Sequence, residues 1–431
     1  MNLINSSKNV QVLITQLFPI FRSITGNGLR KTIKILKKVI PLETIEFKSN
    51  LKVNDWRIPK EWIINDAYII TPDGKKICDI KKNNLHLVNY SVPVKKKLNR
   101  KDLDKFLYSI ESNPNKIPYI TSYYKKRWGF CISHNERKSL KDGQYSVLID
   151  SKFVHGSLTA GHYLLKGKSK YEIIFSTYIC HPSMANDQLS GPLTLAILFQ
   201  LLKKKKRHFS YRFIFAPETI GSIAYLSQMH KSINKNVIGG YVVSLTGGKG
   251  NIVYRKAKNC SSLSNLLAIR SLKKNGKYKI IKFNPSKGND QRQFCSPGYD
   301  YDIGCITNTN EQKNSNYHNS GDNLDSLNIK NIFKISKFCE VIVNNLESTD
   351  IYENLKNKGE PFLTRYKLYS DIGDSSKFKS NTKLTKAIMW ILNYSDKKHD
   401  LIEIQKKSQL DLNTLKNAAK ICERKQLIKK I

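Results

Sequence analysis

The chain has 431 residues, 40% of them hydrophobic, and carries 74 Lys and Arg against 34 Asp and Glu, a formal charge of +40. That length holds two or three domains around a large core, and the lack of any apolar run near the ~20 residues needed to span a bilayer excludes a helical membrane protein. The charge favours anionic partners, but it is spread along the whole sequence and reads mainly as a solvated surface.

Val10–Ile24 has the periodicity of an amphipathic helix, and after Thr25-Gly26-Asn27-Gly28 a second helix is expected over Leu29–Ile40. From 41 to 99 the pattern changes to short alternating runs. Thr44–Lys48, Ala67–Thr71, Lys76–Ile80 and Leu85–Tyr90 read as strands, with Pro72-Asp73-Gly74 as a turn, so a small inserted β domain is expected there. Residues 100–112 return to helix. Then come strands at Tyr145–Ile149, Leu158–Leu165 and Glu172–Ile179, the helix Gly191–Leu202, the strand Arg212–Pro217, the helix Ile220–Met229 and the strand Val237–Leu245. Further strands at Tyr278–Lys282 and Gly304–Thr307 and a closing helix at Ile329–Asn345 complete an α/β domain, 1–40 plus 100–350, built on a mostly parallel, helix-covered sheet. Residues 351–379 read as a linker. Three short helices, Leu384–Asn393, Leu401–Lys407 and Asn413–Arg424, and a strand-like Leu427–Ile431 make 380–431 a winged helix-turn-helix.

Chemistry concentrates where strands end. His181 closes the Glu172–Ile179 run, Asp187 opens the following helix, Glu218 follows Arg212–Pro217, and His318 lies in the aperiodic loop Tyr317–Asp322. Strand ends are where α/β proteins gather polar groups around a ligand. Imidazole and carboxylate are zinc donors, so these four residues form a candidate metal set. Arg292, in Asp290-Gln291-Arg292-Gln293, could grip a substrate carboxylate bidentately or equally sit in a surface ion pair. Eight cysteines lack the CxxC spacing of zinc fingers. With no signal-peptide cleavage pattern in 1–26, the reading is a reduced, cytoplasmic chain. In the last helix Lys416, Lys420 and Arg424 share one face, which could meet nucleic-acid phosphates or simply be the wet side, with Leu412, Leu415, Ala419 and Cys422 packing inward.

Longer motifs carry a resemblance. Trp56–Trp62, Asn83–His86, Tyr90–Pro93, Tyr123-Tyr124, Trp128–Cys131, Cys180–Gly191, Pro217–Ser222, Phe294–Gly298 and Tyr317–Asn323 resemble a bacterial aminopeptidase-like family of domains of unknown function. The likeness runs from about Phe18 to the C-terminus. It implies a fold like the M28-type zinc exopeptidases, with an inserted small β domain and a C-terminal winged helix, in a family often encoded among polysaccharide-biosynthesis genes. By the same resemblance His181 is the first metal-binding His, Asp187 the carboxylate that bridges two zinc ions in such peptidases, and His318 the last ligand. Glu218 falls where they carry a Glu-Glu pair, general base then ligand, but Thr219 follows it here. A further ligand Asp is expected after Val237–Leu245, where this chain reads Ser244-Leu245-Thr246-Gly247-Gly248. Four ligands serve one zinc, hardly two.

The expectation is therefore a one-zinc hydrolase that cleaves an amide of a small molecule, a peptide or an aminoacylated or acylated sugar. Glu218 is then either general base or fourth ligand, with Asp290 or Asp322 as other proton carriers by position. The competing classes are a degenerate peptidase fold that only binds its ligand, and a ligand-sensing DNA-binding regulator.

Overall fold

The computed structural model describes residues 6–273, 276–308, 314–368 and 382–431. Its centre is an eight-stranded sheet with the order Glu43–Lys48, Ser157–Leu165, Ser210–Ala216, Glu172–Tyr178, Val237–Val243, Ile303–Thr307, Ile252–Arg255, Tyr278–Ile281. The four pairings that join Ser210–Ala216 through to Ile303–Thr307, and Ile252–Arg255 to Tyr278–Ile281, are parallel, and the rest are antiparallel. Glu172–Tyr178 and Ser210–Ala216 are buried at every position, which is why they read as unbroken apolar runs and not as alternation.

Helices cover both faces. Ser190–Leu202 is apolar nearly all round because it lies between the sheet and the 19-residue helix Ile329–Glu347. Its start comes so close to the sheet that a Cβ on Gly191 would lie 2.3 Å from Thr177 Oγ1 and 2.6 Å from the Val243 carbonyl oxygen. Only glycine fits there, and this contact brings Asp187 beside the strand end that carries His181.

The second sheet, Lys76–Ile77, Glu61–Ile70, Gln144–Val154, Val94–Asn99, is antiparallel throughout. Its makeup differs from the sequence expectation in three ways. Glu43–Lys48 pairs with Ser157–Leu165 as the edge of the central sheet. Gln144–Val154, expected in the α/β domain, is the strand that joins Glu61–Ile70 to Val94–Asn99. Asn84–His86 is a single 3-10 turn where a strand was expected. Alternation shows that a segment is pleated but does not name its partner, so strand assignments to one sheet or the other fail first. The early helices are also shorter than read, Ser7–Leu17 and Asn27–Leu36, and only Arg100–Asp104 of 100–112 is helical.

The C-terminal domain has the helices Thr382–Tyr394, Leu401–Ser408 and Leu412–Arg424 around its own core of Ile388, Ile391, Leu401, Ile404, Leu415, Ala419 and Cys422. Its three-stranded sheet, Asp396–Asp400, Ile351–Asn354, Ile428–Lys430, takes its middle strand from the stretch read as linker. Residues 369–379 of that stretch lie outside the described residues. Lys416, Lys420 and Arg424 are exposed on the last helix.

Candidate metal and catalytic centre

The four residues singled out at strand ends meet at one place. Glu172–Tyr178 delivers Ile179-Cys180-His181, and the main chain of His181 is fixed from both sides. Its N–H donates to Gln188 Oε1 at 2.7 Å, and its carbonyl accepts from Arg22 Nε at 2.8 Å. Asp187 lies on a wide π-type turn, Ala185–Leu189, that opens the Ser190–Leu202 helix. Such turns recur at functional sites because they aim side chains that a regular helix would not.

Asp322 organises that turn. Its two carboxylate oxygens accept the N–H groups of Asn186 and Asp187, each at 2.7 Å, and its carbonyl accepts that of Ala185 at 3.1 Å. The Tyr178 hydroxyl donates to Asp187 Oδ1. Asp187 Oδ2 then lies 3.1 Å from His318 Nε2, and both buried atoms have no partner besides each other. His181 Nδ1 is likewise buried and unpartnered. Its Nε2 lies 3.4 Å from Glu218 Oε2, and the two imidazole rings are 5.5 Å apart.

Burial pushes the His181 imidazole down to about 4, against the pull of Asp187, so it is neutral at pH 7. Neutral imidazole is the metal-binding form. Burial works against charge on Asp187, yet the His318 and His181 rings and the Tyr178 hydroxyl hold its carboxyl below the ordinary value. Asp322, by burial and by the charge on Asp187, is pushed up to about 7.

Glu218 follows the Ser210–Ala216 strand, its N–H directed at Cys180 Sγ at 3.3 Å. The next residue, Thr219, has φ 61° and ψ −78°, a conformation that is strained for a β-branched residue. Asp290 holds it: Oδ1 accepts the Thr219 N–H at 2.7 Å and Oδ2 the Ser222 hydroxyl at 2.8 Å. Asp290, which burial pushes up to about 6, is thus a brace for the turn.

An aromatic wall, missed from sequence, closes the centre. The Tyr119 ring stands edge-on to both imidazoles, 5.2 Å from His181 and 5.4 Å from His318, and its hydroxyl meets that of Tyr123 at 2.9 Å. Tyr317 stacks on His318 at 4.0 Å. Tyr119 also donates its N–H to the His318 carbonyl, while Ile117 and Ser320 exchange two bonds, so residues 117–119 clamp the His318 loop. The 117–124 segment has no periodicity to mark it. Arg22 did leave a signal, as a lone cation in the apolar stretch Phe18–Ile24, and it is fully buried behind His181. Arg292 reaches the Pro285 carbonyl at 3.5 Å on the outside of its short helix.

The donor types of the four residues are ones that zinc takes. Two donors each about 2.1 Å from a tetrahedral zinc sit about 3.4 Å apart, close to the 3.1 and 3.4 Å of the two pairs. Among the described residues, though, no three His, Cys, Asp or Glu side chains converge as a ready-made cluster. Where a second ion would need its Asp, Ser244 and Thr246 are tied to Asn289 and to Thr194 and Ser190.

The mixed, largely parallel sheet with polar residues at its strand ends has a fold like that of M28 aminopeptidases, to which a winged helix is appended. The Bacillus subtilis zinc aminopeptidase BSAP superimposes with a TM-score of 0.59 at 12% identity, over 83% of this chain and 97% of that one. A peptidase M28 precursor from Shewanella amazonensis gives 0.54 at 11%, over 78% and 92%. Residues 11–349 match the domain of unknown function DUF4910 and residues 350–430 a winged helix-turn-helix, so the chain belongs to the DUF4910 family. It is 41% identical over 418 residues, 97% of its length and 95% of the relative's, to a Clostridium acetobutylicum protein named "Putative polysaccharide biosynthesis protein with aminopeptidase-like domain". A crystal structure of a "putative peptidase" from the same organism superimposes with a TM-score of 0.79 at 39% identity, over 98% and 96%.

Proposed function

We propose that the chain is a single-zinc hydrolase that cleaves an amide bond of a peptide or of an aminoacylated or acylated sugar. The observation that carries this reading is that the chain brings four donor residues together as two neighbouring pairs, Asp187 with His318 at 3.1 Å and His181 with Glu218 at 3.4 Å, with the two imidazole rings 5.5 Å apart. His181, Asp187 and His318 would hold the ion, which when bound supplies an activated water and polarises the scissile carbonyl.

The remaining work falls to the chain. Glu218 is half-buried at the mouth, its side chain 30% exposed, and takes the proton at its carboxylate as general base. The alternative, Glu218 as a fourth ligand, is separated from this one by zinc content. Asp290 and Asp322 are both engaged with backbone amides, which supports a bracing role over proton transfer for them. Tyr119 and Tyr178 keep water from the His181 imidazole, whereas His318, its side chain 37% exposed, faces the open side. The test is zinc content together with turnover on aminoacyl amides, dipeptides and N-acylated sugars. Protein that is zinc-replete yet inert on all three would favour the binding-only reading.

A second reading concerns the winged helix. Exposed Lys416, Lys420 and Arg424 on one helix face support contact with nucleic-acid phosphates, tested by salt-dependent DNA binding. No disulfide joins the cysteines, which supports a reducing compartment such as the cytoplasm. No helix among the described residues is long and apolar enough to cross a membrane.

A further inference from the structure

Eight large hydrophobic residues stand out as exposed among the described residues; two of them, Trp56 (38%) and Tyr124 (55%), have their rings in contact, and a third, Leu51 (45%), lies on the same hairpin as Trp56. Leu51 and Trp56 belong to the tight hairpin formed by Lys52–Val53 and Trp56–Arg57. The Trp56 and Tyr124 rings meet edge to face with centroids 5.7 Å apart. Leaving this much aromatic surface in water is unfavourable, and clustered exposed apolar surface commonly marks a ligand groove.

The hairpin is held rigidly. The Tyr124 hydroxyl donates to the Arg57 carbonyl at 3.0 Å, the Arg57 guanidinium reaches the Asn50 carbonyl at 3.2 Å, and Asn54 donates to the Tyr299 hydroxyl at 2.7 Å. The rings are thus held in place and rimmed by polar groups.

Two chain segments connect the patch to the candidate centre. Tyr124 follows Tyr123, whose hydroxyl meets that of Tyr119, the ring set against His181 and His318. The hairpin packs on the helix Ile220–Ile233, which begins two residues after Glu218.

We propose that Trp56 and Tyr124, with Leu51 at their side, form a subsite that seats a sugar ring of the substrate. The occupant follows from the chemistry. A sugar ring has apolar C–H faces that lie on aromatic rings and hydroxyls at its rim, matching rigid aromatics edged by Arg57, Asn54 and the exposed Lys125 and Lys126. Three side chains are far too little for a stable protein interface, which needs about 800 Å² per partner. The proposal rests on the hydrolase reading and selects its sugar branch over the peptide branch. The subsite holds the glycosyl part while the amide lies at Glu218.

The test is ligand-observed NMR titration of the full chain with chitobiose, an N-acetylated disaccharide, and with a dipeptide amide as comparison. Saturable chitobiose binding is expected, weakened about tenfold or more in Trp56→Ala and Tyr124→Ala, less in Trp56→Phe, and retained in Glu218→Gln. Circular dichroism checks the fold of these variants, and Tyr124→Phe, which loses the bond to the Arg57 carbonyl but keeps the ring, separates loosening of the hairpin from loss of the platform. Absence of saturable chitobiose binding by the wild type, or equal binding by both alanine variants, overturns the subsite. Either result leaves the hydrolase reading standing on zinc content and on turnover across the aminoacyl amides, dipeptides and N-acylated sugars; zinc-replete protein inert on all three with sugar binding intact overturns the hydrolase reading alone.

Discussion

Asp322 accepts the backbone N–H of Asp187 at 2.7 Å across 135 residues of sequence, and its other oxygen takes the N–H of Asn186. The loop that carries His318 therefore also sets the direction of Asp187, and the two donors of the 3.1 Å pair cannot move independently.

Asp322→Ala should leave buried N–H groups unpaired and cost about 1–3 kcal/mol of stability for each group left unsatisfied. Asp322→Asn keeps one accepting oxygen and should fall between. Zinc affinity is expected to drop in the same order as the denaturation midpoint. An alanine variant with wild-type stability and wild-type zinc content would show that the turn forms without this brace.

The brace on the other arm has its own signature. Asp290→Ala removes the acceptor that holds the Thr219 N–H and the one that holds the Ser222 hydroxyl, and Thr219→Gly removes the reason the positive φ is costly. The double variant should then be more stable than the sum of the single effects predicts, with a coupling of about 0.5–3 kcal/mol. Strict additivity in denaturant titrations would mean that Asp290 does not act through Thr219.

Much of this centre was legible because each of its four residues ends an apolar run or sits in an aperiodic loop, and their donor types already suit zinc. The braces were not. Asp322 and Asp290 look like ordinary loop acids until the fold turns them onto backbone amides from distant segments, and Tyr119 sits where no periodicity operates. The domain borders failed for a related reason. Ile351–Asn354 is a short, half-apolar strand whose partners, Asp396–Asp400 and Ile428–Lys430, lie some forty and eighty residues on.

That strand moves the border for dissection. A chain ending at Thr349 should stay folded, whereas one ending just before Ser380 leaves Ile351–Asn354 without partners and should aggregate. Across the same border Arg270 reaches both oxygens of buried Asp400, at 2.6 and 3.2 Å. Asp400→Ala leaves the cation facing no partner, and breaking a buried pair this way costs about 3–5 kcal/mol. Limited proteolysis should then release the C-terminal domain earlier than in the wild type; unchanged release would mean the pair does not hold the domains together.

Acid should weaken the fold through its buried histidines, of which His181 at the centre is one and others lie away from it. Burial holds His86 below its ordinary 6.5, and burial with the nearby Arg212 does the same for His162. The unfolded chain takes up these protons near 6.5 and the folded chain only at lower pH, so stability falls as pH drops below about 6.5. His86→Gln should flatten that fall in urea titrations at pH 7 and 5.5. An equal slope in the variant would assign the acid sensitivity elsewhere.

The role of Glu218 is decided by one substitution read in two ways. Glu218→Gln keeps the side chain's size and one accepting oxygen, but an amide cannot take a proton. If Glu218 is the general base, turnover should fall by about 10²–10⁴-fold while zinc content and substrate affinity stay near wild type. If it is instead a ligand beside His181 Nε2, from which it lies 3.4 Å, zinc content should fall along with turnover. His181→Ala and His318→Ala serve as the comparison, since both should lose zinc sharply with the fold intact. Full zinc in both histidine variants would remove the basis for the metal site, and with it the distinction that the Glu218 variant is meant to draw.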